Sequence, residues 1–131
     1  MKKINITILA FLLLMLIIKG CSGGKGPAIF IDGERYKFGK VIEGKEVVYT
    51  FFFTNPGTKN LVIEELYVSC DCIVVREYDK IVKPGERGKI YGVIKTEGFM
   101  GHVSKSIKIK TNIPNVEPVL TMEGTIVAKS E

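Results

Sequence analysis

The sequence is poor in the groups on which most catalysis depends. It contains one histidine, His102, among 131 residues, and no serine, histidine and acid follow one another in an arrangement that would build a triad. No glycine-rich loop opens onto a helix to cradle a phosphate, and no pair of acids stands inside a motif. Long amphipathic stretches are missing, which removes the helix as an organising element. Clusters of basic and aromatic side chains are missing too, and with them the footprint of a nucleic-acid surface. These gaps point away from an enzyme, from a cofactor-binding protein and from a nucleic-acid partner.

What is present begins with an export signal. Lys2 and Lys3 precede an apolar run from Ile4 to Ile18, and small residues follow around Gly20 and Cys21. As a helix the run would measure about 22 Å, short of the roughly 30 Å hydrocarbon core of a bilayer. The segment "LIIKGCSGG" resembles a bacterial lipobox, with Lys19 in a place where a small or apolar residue is usual. The resemblance implies a signal peptide over residues 1–20 and lipid attachment at Cys21. A plain secretory signal or an uncleaved anchor is the alternative, and each places the rest of the chain outside the cytoplasm. The formal net charge of +5 owes much to this segment. Three of the 19 basic residues, Lys2, Lys3 and Lys19, precede Cys21, which leaves 16 against 14 acidic residues.

Residues 21–27, "CSGGKGP", have the composition of a flexible tether. From Ala28 to Glu131 apolar residues alternate with period two, broken by Gly, Pro and Asn, which is the pattern of an all-β domain. "AIFIDGERYKFG" reads as a strand broken at Asp32-Gly33, with room for a short hairpin. In "EVVYTFFFTN", Val47, Tyr49, Phe51 and Phe53 share one face and Val48, Thr50 and Phe52 the other, so a central strand buried on both sides is expected. In "LVIEELYVSC" the parity changes at Glu64-Glu65, a candidate bulge. About seven short antiparallel strands in roughly 100 residues predict an immunoglobulin-like sandwich, with a small closed barrel as the alternative.

Several turn signals occur together in one order: Phe38-Gly39, Val41 and Gly44; Asn55 and Gly57; Ser69, Cys70 and Cys72; Pro84-Gly85-Glu86; Gly98 and Gly101; Thr111-Asn112. In this order the sequence resembles a bacterial family of unknown function, family 1573, an immunoglobulin-like group related to the ASH and major-sperm-protein domains. Its Ser-Cys-Gly-Cys-Thr pattern is met here with Asp71 in place of glycine and Ile73 in place of threonine. The resemblance implies an exported or lipid-anchored immunoglobulin-like module of unknown partner, and it establishes no enzymatic activity.

With Cys21 assigned to a lipid, Cys70 and Cys72 remain as a pair, and three readings stay open. They pack as small apolar side chains, they form a disulfide or redox pair, or they bind a soft metal ion with Met100 and His102. In a straight strand residues i and i+2 are close to 6.8 Å apart at Cα, at the edge of the disulfide range, so the bond requires a bend. The function expected is a non-catalytic lipoprotein of the bacterial cell envelope, held at a membrane, whose immunoglobulin-like domain serves as a protein-interaction or structural module with an unidentified protein partner. A thiol-redox or copper-binding protein using Cys70 and Cys72 is the alternative.

Overall fold

The computed structural model describes residues 26–130. The expected signal peptide, Cys21 and the tether as far as residue 25 lie outside the described residues. The described residues form nine strands: β1 (Phe30–Ile31), β2 (Arg35–Ile42), β3 (Glu46–Thr54), β4 (Leu61–Val68), β5 (Ile73–Tyr78), β6 (Ile81–Val82), β7 (Arg87–Lys95), β8 (Gly101–Thr111) and β9 (Val119–Val127). Two of the nine, β1 and β6, are two-residue strands, which accounts for the excess over the expected seven. The strands make a sandwich of a four-stranded sheet, β1-β3-β7-β5, and a five-stranded sheet, β2-β9-β8-β4-β6, and not a closed barrel.

Alternation sets the core. Val47, Tyr49, Phe51 and Phe53 of β3 point inward and meet Leu61 and Ile63 of β4, Ile90 and Ile94 of β7, Ile107 and Ile109 of β8, and Leu120 and Met122 of β9. The bulge in β4 falls where the parity changes: the register shifts between Ile63 and Glu65, so Leu66 returns to the inner side opposite Ile109.

Three expectations are corrected. The Asp32-Gly33 stretch is no hairpin. β1 pairs with β3 and β2 pairs with β9, so the chain crosses at Gly33 from one sheet to the other while keeping its direction. For the same reason β2 lies parallel to β9, and the sandwich is not wholly antiparallel. The outer side of β3 is not buried: Val48 and Phe52 are 52% and 38% exposed, because they stand on the face of the four-stranded sheet turned away from the five-stranded one.

At one end of the sandwich three turns are tied together. The Lys95 N–H donates to the Cys72 carbonyl at 2.8 Å, the Thr96 hydroxyl to the Lys45 carbonyl at 2.6 Å, and the Gly98 N–H to Glu43 Oε1 at 3.0 Å. Gly26 lies at the opposite end, beside the loop that joins β3 to β4.

Candidate functional site

Between β4 and β5 the chain leaves one sheet and enters the other, and Ser69 to Cys72 make the crossing. The Ile73 N–H donates to the Cys70 carbonyl at 3.2 Å, closing a turn over Cys70 to Ile73. The turn brings the two Cα atoms to 5.2 Å, within the range a disulfide bridges, and Cys70 is bonded to Cys72. Both side chains also pack half-buried against the core. Asn115 is the one non-glycine residue with positive φ among the described residues. Asp71 therefore replaces glycine here without entering the left-handed region. On a chain-entropy basis, a bond across so short a loop contributes about 1.6 kcal/mol.

The structure does not assemble the metal site expected as one possibility from Cys70, Cys72, Met100 and His102. β4 does run antiparallel to β8, but the Ser69 N–H meets the Ser106 carbonyl. His102 is four residues further along β8, roughly 14 Å at strand spacing. It pairs across to Thr125 of β9 and lines a shallow hollow of about 320 Å³ with Lys37, Lys40 and Glu123. Met100 is exposed in the loop before β8. Among the described residues no three His, Cys, Asp or Glu side chains are grouped to hold a metal ion.

Two turn motifs that are far apart in sequence meet at a single buried side chain. Asn55 is fully buried. Its Oδ1 accepts from the Ala28 N–H at 3.2 Å and the Gly57 N–H at 2.9 Å, and its Nδ2 donates to the carbonyls of Lys59 at 2.8 Å and Val82 at 2.9 Å. Its backbone joins the turn at Pro84-Gly85-Glu86: the Asn55 N–H donates to the Glu86 carbonyl at 3.0 Å, and the Gly85 N–H to the Asn55 carbonyl at 2.7 Å. Gly85, with φ of 78°, occupies the turn position that requires a left-handed backbone after proline. The N-terminal segment is held by the same loop. Gly26 donates to the Thr58 hydroxyl at 2.9 Å and accepts from the Thr58 N–H at 2.8 Å, so the last residues of the expected tether are fastened. Sequence reading treats these motifs as separate turns. The signal for their union is an asparagine in an apolar context, which must find partners for both ends of its amide when buried.

Both sheets carry ion pairs and exposed apolar side chains on their outer sides. Lys108 pairs with Glu117 at 3.5 Å, Lys110 with Glu64 at 3.9 Å, and Lys37 with Glu123 at 3.8 Å, all on the five-stranded sheet. Tyr67 donates its hydroxyl to Glu65 on that face, and this hydrogen bond raises its pKa above the ordinary tyrosine value. On the four-stranded sheet Phe30, Val48 and Phe52 are exposed, and the Arg87 guanidinium lies over the Phe52 ring at 4.2 Å while pairing with Asp32 at 2.6 Å.

β2 is a terminal strand of the five-stranded sheet, with β9 on one side and, among the described residues, no strand on the other. It is exposed along nearly all of its eight residues, "RYKFGKVI", which include Arg35, Lys37 and Lys40 and no acid. The only inward contacts come from Phe38 and Val41, which pack on the core. Sequence reading overlooks this edge because the basic residues are dispersed along the whole chain. The local signal is the lack of any acid between Arg35 and Ile42.

Two antiparallel-rich sheets packed face to face, closed by turn motifs and crossed by the chain at Gly33 and at Cys70–Cys72, define an immunoglobulin-like sandwich domain. The family described as "Protein of unknown function (DUF1573)" matches residues 29–126, and the chain belongs to it. No curated protein matches the sequence. Among solved structures, a protein of unknown function from Porphyromonas gingivalis is similar with a TM-score of 0.66 and 13% identity, over 82% of this chain and 50% of that one. The ASH/PapD-like domain 7 of human CEP192 is similar with a TM-score of 0.58 and 12% identity, over 78% of this chain and 87% of the domain. The Vibrio cholerae VesB protease is similar with a TM-score of 0.58 and 12% identity, over 75% of this chain and 31% of the protease. The chain thus spans half of the first of these proteins and about a third of the last. At such identities the likeness is one of fold.

Proposed function

We propose that this chain is a non-catalytic interaction module of the bacterial cell envelope, anchored to a membrane through Cys21, that binds an extended acidic segment of another protein along β2. The observation that carries the reading is the edge itself: an eight-residue strand, exposed, basic and, among the described residues, without a neighbouring strand on its outer side. Unpaired N–H and C=O groups along an edge strand bind a further strand through main-chain hydrogen bonds, and the side chains select which one. Arg35, Lys37 and Lys40 select for acid. The ion pairs from Arg35 and Lys37 both go to a single carboxylate, Glu123, at 4.0 and 3.8 Å, so the basic charge of the strand is only partly neutralised.

An octapeptide of alternating Glu and Val is the probe. Its binding should fall at least tenfold on the combined substitution R35E, K37E and K40E, fall with added salt, and protect the backbone amides of β2 from hydrogen exchange. Binding that leaves the β2 amides unprotected would overturn the reading. Anchoring is tested separately by detergent partitioning of a Cys21→Ser variant, which should leave the detergent phase; unchanged partitioning would refute the lipid.

A further inference from the structure

The bond between Cys70 and Cys72 does little to hold the turn it sits in. Asp71 is the one residue between the cysteines, and the constraint that a crosslink places on an unfolded chain grows with the length of loop it closes. The turn is fastened instead by hydrogen bonds in which neither sulfur takes part. The Ile73 N–H donates to the Cys70 carbonyl at 3.2 Å, the Lys95 N–H to the Cys72 carbonyl at 2.8 Å, and the Ser69 N–H to the Ser106 carbonyl at 2.9 Å. The Ser106 N–H returns to Ser69 Oγ at 2.9 Å. These bonds tie the turn to β7 on one side and β8 on the other, whatever the state of the sulfurs. Both cysteine side chains are half-buried, while Ser69 and Asp71 beside them are exposed, so the turn is open to solvent on one flank.

From this we infer that Cys70 and Cys72 are a reversible dithiol–disulfide couple that exchanges with external dithiols while the fold stays intact. A thiolate of the incoming dithiol attacks one of the two sulfurs, forming a mixed disulfide and releasing the other cysteine as a thiolate. The second thiolate of the incoming molecule then attacks its own sulfur in the mixed disulfide and displaces the remaining cysteine. The dithiol leaves as a disulfide, both cysteines are left reduced, two electrons have passed, and the two protons of the dithiol end on the cysteine thiolates. Because the turn holds the Cα atoms at 5.2 Å, the reverse step starts with the thiols already adjacent. This couple goes beyond the strand-binding role and does not depend on it.

The test uses the full chain carrying Cys21→Ser, in detergent, equilibrated with graded ratios of reduced to oxidised dithiothreitol. Free thiols are then counted by a mass-shifting maleimide. Two thiols should appear and vanish together on one reversible curve. The near-ultraviolet circular dichroism should be retained on reduction, and the melting temperature should fall by no more than about 10 °C. A chain that yields no thiols to a tenfold excess of dithiothreitol until it is denatured would overturn the inference, as would loss of the native spectrum on reduction. The double substitution of Cys70→Ser with Cys72→Ser should keep that spectrum as well.

Discussion

The side-chain amide of Asn55 donates to the backbone carbonyl of Val82 at 2.9 Å, joining the loop after β3 to the short strand that leads into the Pro84-Gly85 turn. One buried side chain thereby sets the relative position of two turns and of the N-terminal segment at Ala28. A buried donor or acceptor deprived of its partner costs roughly 1–3 kcal/mol.

Replacing Asn55 with alanine strands the N–H groups of Ala28 and Gly57 and the carbonyl of Val82 together. The expected loss is about 3 kcal/mol of unfolding free energy, read from urea denaturation. Asn55→Asp keeps the acceptor but loses both donations and buries a charge, so at neutral pH it should be the more damaging of the two. A variant with wild-type stability would show the node to be ornamental.

Gly57 should tolerate no side chain, because a Cβ there would lie 2.3 Å from the Gly26 carbonyl oxygen and 2.7 Å from the Ala28 nitrogen. Gly57→Ala is expected to lift residues 26 to 28 off the loop and leave the sandwich folded. Faster hydrogen exchange at the Thr58 amide, which donates to Gly26, is the specific readout.

Gly124 makes room for an aromatic ring. A Cβ at that position would lie 2.3 Å from two carbons of Phe38, which packs over it from the neighbouring strand. Gly124→Ala should cost about 1–3 kcal/mol as an overpacked site. Phe38→Leu in the same chain should return part of that loss in a double-mutant cycle. Strict additivity of the two changes would contradict the contact.

Tyr49 gives the protein an alkaline limit. Burial pushes its pKa from 10.0 up to about 12, and its hydroxyl faces the Val74 carbonyl at 3.4 Å. The unfolded chain releases this proton near pH 10 and the folded one near pH 12, so the contribution is whole below pH 10 and is lost as pH rises through 12. Between those values the unfolded state is progressively favoured. Urea midpoints measured from pH 9 to 12 should fall less steeply for Tyr49→Phe than for the unaltered chain, and the late part of the phenolate absorbance titration should lose the contribution of one tyrosine in that variant.

Much of this could be read along the chain. The inward set of β3, the bulge at Glu64-Glu65 and the inward Leu120, Met122 and Ile126 of β9 follow from period-two alternation, which is a property of the pleat and is local. The turns at Asn55 to Gly57 and at Pro84 to Glu86 follow from the backbone preferences of their own residues. The exposed outer side of β3 does not follow, because Val48 and Phe52 have the same apolar chemistry whether or not another layer covers them.

The all-β character of the domain, the alternation of its inward-facing residues and its turns are legible in the chain alone, since these rest on interactions among residues near one another in it. The closing of the strands into two sheets and not a barrel, the parallel course of β2 beside β9, the sharing of Asn55 by two distant turns, the separation of His102 from the cysteines and the bend at Asp71 that joins Cys70 to Cys72 come from the folded arrangement. Each of these depends on which strands become neighbours. Strand pairing is a contest among non-local alternatives with the same hydrophobic pattern, and it is resolved when the whole core closes.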